Sequence, residues 1–180
     1  IKDASGTEYL WQGNPEFWSG QAPVLFPIVG CLRNGTATIG DNKTCSFGRH
    51  GLARRLEFDL VSSSDTSITY SLKANDKTKE QYPYDFELQM TYELTEHGVK
   101  VSHTVINHDS VVMPYCVGGH PAFNCPVFEN ESFEDYIVEF EQPENAACAQ
   151  LTEDGLINNA DRVSVLENEA VIPVRHSLFY

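Results

Sequence analysis

Alternating apolar and polar positions run through the middle of this chain and predict β-strands. Apolar residues occupy every second position from Phe86 to Leu94, the period at which the side chains of a strand reach one face of a sheet. A second alternating run over residues 99–105 follows the short connection Thr95–Gly98, so we expect a hairpin. Further strands are predicted over residues 68–72, 111–115 and 136–140.

The spacing of these strands sets the expected fold class. Gly, Pro, Asn and Asp separate them at intervals of about ten residues, and no window shows an amphipathic helical pattern over three turns. This organisation favours an all-β fold, a large antiparallel β-sandwich. The length of 180 residues and the hydrophobic content of 41% suit one sizeable core, so we expect a single domain over residues 1–180.

Charge and cysteine content narrow the range of partners. The formal net charge is −14 and no segment concentrates Lys and Arg, so nucleic acid and anionic membrane surfaces are disfavoured. No apolar run approaches the roughly 18 residues that span a bilayer. The five cysteines are odd in number and lack a Cys-x-x-Cys pair, which favours free thiols in a reducing compartment, and hence the cytoplasm.

Two histidines stand out because each adjoins glycine between predicted strands. Arg54 follows His50 closely and Asn124 follows His120, and guanidinium and amide groups are suited to binding the hydroxyls of a sugar. We therefore expect a carbohydrate site here. A metal is disfavoured because the sequence has no His-x-His or His-x-x-x-His pair. The other histidines are expected to be structural or solvated: His97, His103, His108 and His176.

Four motifs, in order, resemble the aldose 1-epimerase family, and in particular its bacterial LacX-like branch. They are Pro23–Gly30, His50–Arg54, Tyr82–Phe86, and Met113–Tyr115 leading into Gly118–Pro126. The resemblance extends over residues 8–180. It implies a galactose mutarotase-like supersandwich, with no cofactor, that interconverts the α and β anomers of a hexose such as galactose or glucose.

The same resemblance implies roles for individual residues. His120 would protonate the ring oxygen of the sugar, and His50 would hydrogen-bond the same region. The implied sugar contacts are Arg33, Arg54, Phe123 and Asn124. In this family the catalytic glutamate lies far toward the C-terminus, beyond Tyr180, so we expect an incomplete sandwich and an epimerase that is inactive on its own if that base is missing.

Two alternatives remain open at this stage. The first is a hexose-6-phosphate 1-epimerase, in which Arg54 with Arg33 or Arg55 holds a phosphate, since arginine side chains favour phosphate. The second is a carbohydrate-binding β-sandwich without catalysis, which keeps the polar contacts but needs no acid. In each case the expected partner is a small hexose or hexose phosphate, and we expect a monomer or homodimer.

Overall fold

Antiparallel strands dominate the computed structural model, which describes residues 1–178. These residues fall into two compact units. The central unit is Ala22–His120, and the terminal unit combines Ile1–Gln21 with the chain from Pro121 onward. The single domain over residues 1–180 stays a prediction.

The strands of the central unit are β1 (Val24–Leu25), β2 (Thr36–Ile39), β3 (Lys43–Ser46), β4 (Asp59–Ser63), β5 (Ser67–Lys73), β6 (Phe86–Thr95), β7 (Gly98–Asn107) and β8 (Gly118–Gly119). The unit is built on a four-stranded antiparallel meander of these strands, in the order β4-β5-β6-β7. The predicted hairpin is confirmed, because β6 pairs with β7 down to Thr95 opposite Gly98. Strands β2 and β3 form a separate hairpin.

Helical structure is sparse. The helix α1 (Asp76–Gln81) is capped at its N-terminus by Asn75, whose side chain accepts a hydrogen bond from the Thr78 amide in a capping box. Short 3-10 turns occur at Arg33–Gly35, Ala53–Arg55, Phe133–Asp135 and His176–Leu178. Within residues 1–178, no helix is long and apolar enough to cross a membrane.

The core of the central unit follows from the alternation in β6. Phe86 and Leu88 are fully buried on one face of the sheet, where their apolar surface is removed from water. The ring of Phe26 packs against Phe86 with the ring centroids 5.1 Å apart. The buried cluster comprises Phe26, Cys45, Phe47, Leu52, Ala53, Leu72, Tyr82, Tyr84, Phe86, Leu88, Met90 and Met113.

The terminal unit contains one long antiparallel hairpin of β9 (Ile137–Leu151) and β10 (Ile157–Pro173). The predicted strand over residues 136–140 falls in β9. The hairpin turn passes through Asp154 and Gly155, and Gly155 has a φ of +73°, which glycine adopts readily. Elsewhere in this unit, Leu10 forms a β-bridge with Phe123.

The strand predicted over residues 111–115 is wrong. This segment has no strand partner in the described residues, and Pro114 has no amide hydrogen with which to join a ladder. Instead Met113 is buried in the core while Val112 is 82% exposed. The carbonyl of Val111 accepts a hydrogen bond of 2.8 Å from the Asn107 side chain. The apolar composition of residues 111–115 therefore reflects the burial of Met113 in the core, and not a strand.

A buried carboxylate lies on the face of β6 opposite Phe86 and Leu88. Glu87 Oε1 accepts hydrogen bonds from Gln89 Nε2 at 2.7 Å and from Ser71 Oγ at 2.8 Å. Glu87 Oε2 lies 3.2 Å from His108 Nε2, which gives His108 the structural role that the sequence predicts. The hydrogen bonds from Gln89 and Ser71 lower the pKa of Glu87 to about 2.

We predict that Glu87→Gln makes the free energy of unfolding less dependent on pH in the acid range. A depressed carboxyl pKa contributes stability that is complete above the ordinary value of 4.5 and is lost as the pH falls through about 2. Urea unfolding across this range measures the effect. Glu96→Gln is the control, because that side chain is 89% exposed. Equal pH dependence in the parent and Glu87→Gln would contradict the assignment.

Candidate functional site

The segment Pro23–Gly30 lies against both histidine-bearing segments of the central unit. On one side, β1 pairs antiparallel with Gly118 and Gly119 of β8. Directly after this ladder, the His120 amide donates a 3.2 Å hydrogen bond to the Pro23 carbonyl. This backbone pairing fixes where His120 leaves the sheet.

On its other side, the same segment holds the loop that carries the second histidine. Phe26 forms a parallel bridge with Gly51, and the Phe26 carbonyl accepts hydrogen bonds from the amides of Leu52 and Ala53 at 2.9 and 3.2 Å. A Cβ at Gly51 would lie 2.2 Å from the Phe26 carbonyl oxygen, and Gly51 has a φ of +76°. Only glycine therefore allows this approach.

His50 is attached to Gly30 through both its backbone and its ring. The His50 amide donates to the Gly30 carbonyl at 2.8 Å, and the Gly30 amide donates to His50 Nδ1 at 3.0 Å. His50 itself has a φ of +66°, which is uncommon for a residue with a side chain. The two hydrogen bonds hold this conformation in place.

The two histidines predicted from the sequence meet in the structure. The ring centroids of His50 and His120 are 5.5 Å apart, with the ring planes at 73°. His50 is partly buried and His120 is exposed. Two imidazoles at this separation can act on one small molecule, since each carries a nitrogen able to donate or accept a proton.

The surroundings of His50 favour its neutral form. Burial is the largest cause that lowers the pKa of His50, followed by the positive charge of Arg54 and then by His120 and Arg49. Among the described residues, the charged groups that shift this pKa include no carboxylate. His50 is therefore suited to donating a hydrogen bond rather than to carrying a charge.

Arg54 brings an unsatisfied donor close to the histidine pair. It sits in the 3-10 turn Ala53–Arg55, which is anchored by the buried Ala53. Arg54 Nε is buried and has no hydrogen-bond partner among the described residues. A buried donor without a partner is costly, and an acceptor on a bound ligand would satisfy it.

Arg49 is the neighbour that the sequence analysis missed. Its charge contributes to the lowered pKa of His50, although its side chain is exposed. Its position directly before His50 in the sequence was the available signal. Together Arg49 and Arg54 make the surroundings of His50 cationic within a chain whose net charge is −14.

The sequence also predicts sugar contacts at Arg33, Phe123 and Asn124. Arg33 is exposed in the turn Arg33–Gly35. Phe123 and Asn124 belong to the terminal unit, and Phe123 is 64% exposed. The sugar-binding roles of all these residues stay predictions.

Asn124 has a structural contact that the sequence did not reveal. Its side-chain Nδ2 donates a 2.8 Å hydrogen bond to the Glu8 carbonyl, and its amide donates to the Tyr9 carbonyl at 2.8 Å. These bonds fasten the N-terminal segment to the Phe123 region. The side-chain oxygen of Asn124 and the second hydrogen of its Nδ2 could still bind a ligand.

The remaining motif belongs to the core. Tyr82 and Tyr84 are each 1% exposed, and the Tyr82 hydroxyl donates to the Pro114 carbonyl at 2.7 Å. Tyr82–Phe86 therefore stabilises the central unit. In residues 1–178, no group of three or more His, Cys, Asp or Glu side chains is arranged to hold a metal ion.

Comparison with known sequences shows the family to which the chain is similar. The family model described as aldose 1-epimerase matches residues 1–168. The plasmid-encoded and the chromosomal LacX proteins of Lactococcus lactis subsp. lactis are each 42% identical over 185 residues. In each case the alignment covers 99% of this chain, which spans 62% of the length of these relatives.

Two solved structures share the fold. A galactose mutarotase related enzyme from Lactobacillus acidophilus matches with a TM-score of 0.89 and 34% identity. The match covers 99% of this chain and 59% of the chain of that enzyme. A galactose mutarotase-like protein from Lactobacillus casei matches with a TM-score of 0.84 and 34% identity. This match covers 97% of the present chain and 60% of the Lactobacillus casei chain. The prediction of an all-β, galactose mutarotase-like fold is confirmed.

We predict that Arg54→Met raises the pKa of His50, because removing the guanidinium charge removes a cause that holds this pKa down. A pH titration of the imidazole signals by NMR measures the shift. Arg55→Met is the control, since Arg55 is exposed and contributes nothing to the causes that lower the His50 pKa. An unchanged His50 titration in Arg54→Met would rule out this electrostatic coupling.

Proposed function

Since this chain belongs to the aldose 1-epimerase family, we propose that it carries the acid side of a site that interconverts the α and β anomers of a hexose. The observation that carries the proposal is the pairing of His50 and His120 at a ring separation of 5.5 Å. The chain spans 62% of the LacX relatives, so the activity is proposed for the protein of which this chain forms the matched part.

The reaction needs two proton transfers. An acid protonates the ring oxygen as the bond between this oxygen and the anomeric carbon breaks, and a base takes the proton of the anomeric hydroxyl, which leaves an open-chain aldehyde. Rotation about the adjacent carbon–carbon bond and closure by the reverse steps give the other anomer. No oxidant, metal or cofactor takes part in this scheme.

The surroundings of the two histidines support a division of roles. His120 is exposed and hence accessible to a bound sugar, so we assign it as the general acid that protonates the ring oxygen. His50 is held neutral by burial and by the charge of Arg54, so we assign it as a hydrogen-bond donor to the same region of the sugar. Arg54 Nε, which lacks a partner among the described residues, would bind a hydroxyl of the substrate.

We propose that the base is a glutamate outside this sequence, in the part of the relatives that the chain does not span. The chain spans 62% of the length of the LacX relatives, and this coverage supports a base in the remaining part. Proton removal from the anomeric hydroxyl then needs an added carboxylate when the chain is studied alone. Acetate is the small carboxylate that can supply it.

We predict that acetate restores anomer exchange by this chain, and that His120→Ala lowers the restored rate by about 10²-fold or more, the usual contribution of a positioned acid. Two-dimensional exchange NMR on galactose and glucose measures the rate at matched acetate concentrations. The control is His97→Ala, which replaces a histidine whose side chain is 87% exposed and should keep the parental rate.

Equal rates in the parent and in His120→Ala would contradict the acid assignment. If the chain binds a hexose but shows no His120-dependent exchange at any acetate concentration, a carbohydrate-binding sandwich without catalysis is favoured instead. A glutamate within this chain would reveal itself by His120-dependent exchange that needs no acetate.

A hexose phosphate is the second candidate substrate. Arg49 and Arg54 both place positive charge near His50, and arginine pairs strongly with phosphate. If the phosphate is recognised here, the chain binds glucose 6-phosphate more tightly than glucose, and Arg54→Met removes most of the difference. Calorimetric titration with both sugars tests this, and equal affinities would exclude a phosphate subsite at Arg54.

A further inference from the structure

We propose, on the basis of the function just described, that Gly30 is a positioning residue that fixes the tautomer of His50. The backbone amide of Gly30 would keep the proton of the neutral ring on Nε2, so that His50 can only donate a hydrogen bond to the sugar. The role belongs to the motif Pro23–Gly30, which the sequence analysis left without a chemical function.

The direction of one hydrogen bond carries the argument. The Gly30 amide lies 3.0 Å from His50 Nδ1, and a backbone N–H can only donate. A ring nitrogen that accepts a hydrogen bond carries no proton, so the single proton of the neutral imidazole sits on Nε2. Protonation of Nδ1 would set two donors against each other.

The backbone around Gly30 keeps this geometry in place. The His50 amide donates to the Gly30 carbonyl at 2.8 Å, so the two residues are joined by two hydrogen bonds of opposite direction. Gly30 has a φ of +84° and nothing lies within 4 Å of the position that a Cβ would occupy. Glycine is therefore needed for its conformation, and not because space is short.

The charges near His50 act in the same direction. Burial is the largest cause that lowers the pKa of His50, and the titratable groups Arg54, His120 and Arg49 add to it. They oppose a second proton on the ring, and hence they keep Nδ1 free to accept from Gly30.

A chemical consequence follows for the proposed reaction. The lone pair on Nδ1 is occupied by the Gly30 amide, and Nε2 already carries its proton. His50 therefore has no free site to take the proton of the anomeric hydroxyl. Under this scheme His50 stabilises oxygen on the acid side, and the base must be a different group.

The first test observes the hydrogen bond directly. In the ¹⁵N-labelled 180-residue chain, we expect a scalar coupling across the hydrogen bond between the Gly30 amide nitrogen and His50 Nδ1, with the ring proton on Nε2 at neutral pH. His97, which is 87% exposed, should show no such coupling. Absence of the coupling, or a proton on His50 Nδ1, would overturn the proposal.

The second test uses a matched pair of glycine variants. Gly30 and Gly35 both have positive φ, +84° and +70°, and the nearest atom to a Cβ at Gly35 is the Phe47 carbonyl oxygen at an ordinary 3.7 Å. Gly30→Ala and Gly35→Ala should therefore lower the melting temperature by a similar roughly 2–4 °C. Only Gly30→Ala should weaken the coupling and raise the pKa of His50.

Identical His50 signals in Gly30→Ala and in the parent would contradict a positioning role. Where Gly30→Ala does not fold, Gly30→Asn replaces it, because asparagine tolerates the left-handed conformation better. None of these measurements involves a sugar. The tautomer can therefore be confirmed while the epimerase proposal fails, and the reverse result can also be recognised.

Discussion

The structure of the candidate site depends on one short backbone segment, Pro23–Gly30. Its β1 strand pairs with β8 ahead of His120, its Phe26 carbonyl holds the loop at Gly51, and its end at Gly30 is hydrogen-bonded to His50. The ring of Phe26 is fully buried against Phe86. The hydrophobic core thus positions the segment, and backbone hydrogen bonds transmit that position to the imidazole pair.

Sequence reasoning succeeded where a local pattern has one physical cause. The alternation from Phe86 to Leu94 predicted β6, because part of one face of that strand is buried and a strand has a period of two. Glycine beside histidine singled out His50 and His120, and the structure brings their rings together. Apolar character over residues 111–115 failed as a signal, since it cannot tell a strand from a segment whose Met113 fills the core.

The details of the site depended on contacts between distant residues. Gly30 and His50 are 20 residues apart, and Asn124 and Glu8 are 116 apart, so no local pattern could pair them. Arg49 is adjacent to His50 in the sequence, but its effect on the His50 pKa could be inferred only once the ring was known to be partly buried. Sequence motifs identify side chains and do not show which backbone groups form hydrogen bonds. The amide of Gly30 and the carbonyl of Phe26 nevertheless determine the geometry of the site.

The measurement that tests the account most directly is the effect of galactose on the imidazole nitrogen signals of the chain. Sugar binding at the histidine pair predicts that the signals of His50 and His120 shift together as galactose is added, while those of His97 stay fixed. His108, which is bonded to Glu87, should also remain unchanged. Binding that leaves both His50 and His120 unaffected would contradict the assignment of this pair as the sugar site.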